Sequence, residues 1–157
     1  MKITLIIVLI SVIMLIAKSL SQQYSDKYDF YFNLNNFLNQ FKLNLSFKQT
    51  KILEFLNSIS CRKQFKIFIE NYKNYLSTGV IDCSNITILD DQEIRDIEDI
   101  VRNIGLFDAE HEIFQLESYL NSVQEKLKQA EENKKKICPM ILKLSFLLAI
   151  GLAVILI

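Results

Sequence analysis

The chain has 157 residues, half of them apolar, with three Gly, one Pro and no Trp. So few breakers and turn formers exclude a β-sandwich or barrel, which needs turns at short regular intervals, and leave helix as the main element. The formal net charge is zero and no stretch is basic enough to read as a nucleic-acid surface.

The charges are nevertheless sorted along the chain. Residues 26–73 carry eight Lys/Arg against four Asp/Glu, residues 82–117 two against eleven, and residues 118–143 six against three. Two readings compete: basic and acidic helices pack side by side and largely cancel, or the acidic stretch docks a basic partner. Cys61, Cys83 and Cys138 are odd in number and widely spaced, which predicts free thiols in a reducing compartment.

Ile3 to Ala17 is free of charge, and with Lys18 to Leu20 it makes a membrane helix with a lysine at each edge. Lys2 and Lys18 can snorkel to the two interfaces. The competing reading is a cleaved signal peptide with Ala17-Lys18-Ser19 as its cleavage site; the charge inside that site and the length of the run favour a retained helix. After it, Leu20, Tyr24, Tyr28, Tyr31, Leu34, Leu38, Phe41 and Leu45 step by three or four along one helical face, and no breaker separates this face from the span.

Ser46 and Gln49 have capping-box spacing and open a short helix with core positions Ile52, Leu56 and Ile59. A third helix carries Phe65, Phe68, Tyr72 and Tyr75 or Leu76, and ends before Gly79. Residues 79–90 read as a loop. Asp90 and Glu93 form a second capping box, with Ile94, Ile97, Val101 and Ile104 behind it and Gly105 at the left-handed C′ position. Asp108 caps the next helix, whose stripe is Ile113, Leu116, Leu120, Val123, Leu127 and Ala130. Lys134, Lys135 and Lys136 suit its C-terminal turn. A second span then runs from Ile137 to Ile157, with Pro139 near its start and Ser145, Ala149 and Ala153 as a row of small residues for helix packing in the membrane.

The expected architecture is all-α: an antiparallel helical bundle (20–137) between an N-terminal (1–19) and a C-terminal (138–157) transmembrane helix. Lysines cluster on the inner flank of each span, which places the bundle in the cytoplasm. Chemistry is sparse. His111 has Phe114 and Gln115 where a helical metal site needs ligands, and no phosphate-cradling glycine motif or nucleophile setting is present. No catalytic, cofactor or metal residue is expected. The aromatic stripes read as core. Asn44 and Asn85 head glycosylation sequons that matter only outside the cell.

The string from Ile88 to Lys136, followed by a terminal apolar span, resembles the stage III sporulation protein AB family of endospore-forming bacteria. In that family an acidic helix ends in Leu-Gly with an Asp three residues on; here Ile104-Gly105 and Asp108 stand at those places. This chain departs from the pattern in having Ser46-Phe47 where a Pro is usual, and in lacking a Trp-bearing middle helix. The resemblance implies a component of the channel apparatus between mother cell and forespore. Its cytoplasmic domain, similar to that of type II secretion platform proteins, would meet a secretion-type ATPase and other channel subunits, with homo-oligomers also open. The expected contact is on the acidic helix at Asp91, Glu93, Asp96, Asp99 and Arg102. The alternatives are a generic two-span scaffold, or a secreted tail-anchored surface protein.

Overall fold

The computed structural model describes residues 2–45, 51–59, 61, 63–104 and 109–156. Five α-helices follow one another, with no strand among the described residues: α1 (Lys2–Leu43), α2 (Ile52–Ser58), α3 (Lys63–Thr78), α4 (Asp91–Asn103) and α5 (Ala109–Leu156). The chain divides into two compact units: Met1–Tyr28 with Gln129–Ile157, and Asp29–Lys128.

In the central unit the core is aromatic. Phe37 of α1 lies within 6.3 Å, ring centre to ring centre, of Phe55 on α2 and of Phe65, Phe68 and Tyr72 on α3. Most of these rings meet edge to face, the arrangement the ring quadrupole favours. Phe30 makes the same kind of contact with Phe65 and Phe68. The expected stripe holds for Tyr31, Leu34, Leu38 and Phe41, all buried. It fails at Leu20, which is exposed, and it omits Phe30 and Phe37, which are fully buried. Phe30 and Phe37 lie beside that row on the same broad face, so the buried face of α1 is wider than a single row of steps.

The short helix α2 begins at Ile52, with Lys51 at its N-cap giving no side-chain bond; Phe55 and Leu56 are its buried residues. The proposed cap at Ser46 and Gln49 lies outside the described residues, as do Gly105 and Asp108. Helix α3 buries Phe65, Phe68, Ile69 and Tyr72 and closes at Gly79, whose φ of +73° is one that L side chains rarely adopt. Leu76, one of two alternatives in the expected stripe, is exposed.

The loop after Gly79 is part of the core. It buries Ile81, Cys83, Ile86 and Leu89. Its backbone is held by local turns: Ile86 N donates to the Cys83 carbonyl at 3.0 Å, and Ser84 N to the Asp82 carboxylate at 2.9 Å. The Ser84 hydroxyl first, and then this backbone N–H, hold the Asp82 carboxyl below its usual range by hydrogen-bonding its charged form. Asn85 and Asn71 of α3 join amide to amide, Asn71 donating at 2.7 Å.

Helix α5 differs from expectation. It does not end at Lys134–Lys136 but runs on through Pro139 to Leu156. A proline inside a helix removes one N–H bond and strains the preceding turn, at a cost of ~3 kcal/mol in water. Membrane helices tolerate it because neighbouring groups re-satisfy the backbone. The lysines are held by pairs along the helix instead of by a terminus: Lys136 bonds Glu132 at 3.3 Å, and Lys135 bonds Glu131. The bond to Glu131, and that carboxylate's charge, raise the Lys135 ammonium above its ordinary pKa.

Candidate functional site: an acidic helix and a pair of membrane helices

Helix α4 starts at a complete capping box. Glu93 N donates to the Asp90 carboxylate at 2.9 Å, and Asp90 N donates to the Glu93 carboxylate at 3.0 Å. Glu93 is also turned inward, only 5% exposed, and accepts from the buried Tyr31 hydroxyl. Burial first, then the Glu93 charge, push the Tyr31 hydroxyl far above its usual pKa. Glu93 therefore fastens α4 to α1 and offers no surface to a partner.

The other expected contact residues lie outward. Asp91, Asp99 and Arg102 are exposed and Asp96 is half-exposed. Asp96 accepts from Gln92 at 2.8 Å and faces Lys126 of α5 at 4.0 Å. Arg102 reaches Glu98 at 3.6 Å. Glu98, mostly covered, also accepts from Cys83 N at 3.0 Å and so ties the loop to α4. With Arg95 exposed between them, the face is mixed in charge, though acids predominate. Sequence reasoning gave Glu98 no role; a carboxylate one turn before Arg102 looks like an ordinary surface pair, and only the loop's placement reveals its second partner.

All three cysteines are unpaired. Cys83 is fully buried, and burial pushes its thiol up to about 11. His111 is exposed, and its neighbour Glu112 is buried. Among the described residues no group of three or more His, Cys, Asp or Glu is placed to hold a metal ion, and no catalytic constellation is assembled. Of the two sequons, Asn44 is buried and Asn85 is engaged with Asn71.

The other unit is an antiparallel pair made by the N-terminal part of α1 and the C-terminal part of α5. The Cys138 thiol meets the Ser21 carbonyl at 3.4 Å, and the Lys134 ammonium sits 4.4 Å from the centre of the Tyr28 ring. Ala17 and Ala149 are buried, Ser145 and Ala153 half-buried. The Ser145 hydroxyl is returned to its own helix, donating to the Ile141 carbonyl at 2.6 Å. Ala149 and Ala153 form the floor of an open apolar groove of about 350 Å³, walled by Ile10 and Met14 on α1 and by Phe146, Ile150 and Val154 on α5. Outward-facing side chains are apolar too: Val8, Leu15 and Leu147 are 62, 66 and 64% exposed. Such a surface is unstable in water and suited to lipid.

Both helices are long and apolar enough to cross a membrane. The chain is therefore a two-span membrane protein, with its helical central domain on the cytoplasmic side that the flanking lysines assign. It belongs to the stage III sporulation protein AB family, which it matches over residues 2–157. No curated protein and no solved structure matches it. The chain is accordingly a membrane protein of sporulation.

Proposed function

We propose that this chain is a non-catalytic platform in the channel apparatus joining mother cell and forespore, and that its cytoplasmic domain docks a secretion-type ATPase. The observation that carries the reading is the family match along almost the whole chain, together with apolar helices at both ends of it. Residues 1–19 and 138–157 hold the membrane, and 20–137 meet cytoplasmic partners. The docking face is α4, through Asp91, Asp96, Asp99 and Arg102. Its acids suit a partner with a basic surface, since complementary charge sets encounter rate and register. The row Ser145, Ala149 and Ala153 serves close approach of the two spans.

The test is binding of the purified ATPase to the full chain in lipid nanodiscs. Asp91→Lys with Asp99→Lys reverses two exposed charges that no packing uses. The proposal expects binding at least about tenfold weaker, on the order of 1.4 kcal/mol. Unchanged affinity, with the fold intact by circular dichroism, removes α4 as the docking face.

A further inference from the structure

We infer that the membrane unit carries a binding site for an anionic phospholipid, with one acyl chain in the groove between the two spans and the headgroup phosphate held by Lys18 and Lys143.

Register comes first. The Cys138–Ser21 contact sets residue 138 level with residue 21. Lys18 is three residues below that level on one helix, and Lys143 five residues below it on the other. At ~1.5 Å per residue the two lysines lie within ~3 Å of the same depth.

Both also lie on the groove side of the pair. Lys18 follows Met14 by four residues and Ile10 by eight; Lys143 precedes Phe146 by three and Ile150 by seven. These are same-face spacings on a helix, so each lysine continues one wall of the groove toward the cytoplasmic interface.

Their charges are not spent elsewhere. Both side chains are exposed, and neither has an ion pair or hydrogen bond among the described residues. Lys134, Lys135 and Lys136, just above, are engaged with Tyr28, Glu131 and Glu132.

Length decides between an acyl chain and a helix of another protein as the occupant. From Lys18 to Ile10 the wall descends ~12 Å, and from Lys143 to Val154 ~16 Å. Half of a ~30 Å hydrocarbon core is ~15 Å, the depth of one leaflet. A groove of one-leaflet depth with two cations at its mouth fits a lipid tail and its phosphate. A partner helix would use the whole thickness and would leave the lysines without a counter-charge.

The experiment uses the full chain reconstituted in phosphatidylcholine vesicles, with trace spin-labelled phosphatidylglycerol or phosphatidylcholine. The motionally restricted fraction reports lipid held by the protein. At ~1 kcal/mol per lysine near an anionic surface, the expected preference for phosphatidylglycerol is about fivefold for each lysine, and it weakens with salt. Lys18→Gln with Lys143→Gln brings the preference to about one and leaves the restricted phosphatidylcholine unchanged; each single variant falls between. Ala153→Phe, which fills the half-buried floor, lowers the restricted fraction of both lipids. Equal binding of the two lipids by the wild-type chain overturns the inference, as does a preference that survives the double substitution. Restricted lipid of either kind that disappears as copies of the chain associate also overturns it, by assigning the groove to a second copy.

Discussion

Replacing Phe37 by alanine should remove a ring from the middle of the aromatic core. Phe37 is 2% exposed, and its ring lies between 5.8 and 6.3 Å from those of Phe41, Phe55, Phe65, Phe68 and Tyr72. Truncating a buried Phe costs ~3–5 kcal/mol, from lost transfer energy and the cavity left behind. Five ring neighbours from three helices place this site at the upper end, because collapse would have to move all three at once. Against a total of ~5–15 kcal/mol that is a large share. The assay is urea unfolding of the full chain in micelles, followed by near-ultraviolet dichroism of the tyrosines. With a urea slope of ~1–3 kcal/mol per molar, the midpoint should fall by more than ~1 M. Phe114→Ala is the control: that ring is 76% exposed, and the change should stay within ~0.5 kcal/mol. The reasoning is refuted if the two variants are equally stable, or if Phe37→Ala costs less than ~1 kcal/mol.

Other outcomes follow from single contacts. Asp90→Ala removes the α4 cap and should cost ~1 kcal/mol in the same urea assay, while Asp90→Ser restores most of it. Tyr72→Phe keeps the packing and deletes a buried hydroxyl that has no hydrogen-bond partner among the described residues, so stability should be unchanged or raised. A tyrosine whose hydroxyl contributes would instead lose ~1 kcal/mol. Cys83 should resist a maleimide at neutral pH until denaturant is added, whereas Cys61, half-exposed, reacts in the native protein. The Cys83 thiol is raised from 9.0 to about 11, so the folded state holds its proton more tightly than the unfolded one. Its contribution is complete below pH 9 and is lost as pH rises through 11, and Tyr31 and Tyr72, also raised, act in the same direction at higher pH. The urea midpoint should therefore fall between those values; a midpoint that rises there contradicts the assignment.

The parts of this protein that were legible in its sequence are those with a period or a local chemical rule. The spans follow from uncharged length, the α4 start from the Asp90–Glu93 spacing, and the α5 stripe from steps of three and four. Phe30 and Phe37 escaped because one stripe marks one line of a helix, and the buried face of α1 is broader than that line. The loop from Gly79 to Asp90 has no period, so nothing in its order announces that Ile81, Cys83, Ile86 and Leu89 enter the core. Three consecutive lysines imitate a helix end, yet i,i+4 glutamates neutralise two of them and α5 continues. At the acidic helix, composition alone makes Glu93 look like its neighbours. Its inward turn follows from the reciprocal cap and from Tyr31, a residue some sixty positions earlier in the chain.

The claim on which the rest depends is that the central domain faces the cytoplasm between two spans. Cys138→Ser leaves Cys61 and Cys83 as reporters, both in that domain. Intact cells are treated with a membrane-impermeant maleimide, then compared with cells permeabilised and denatured. The account predicts protection of both thiols in intact cells, and labelling of both once the membrane is opened and the fold undone. Labelling of Cys61 in intact cells would place the domain outside and contradict it.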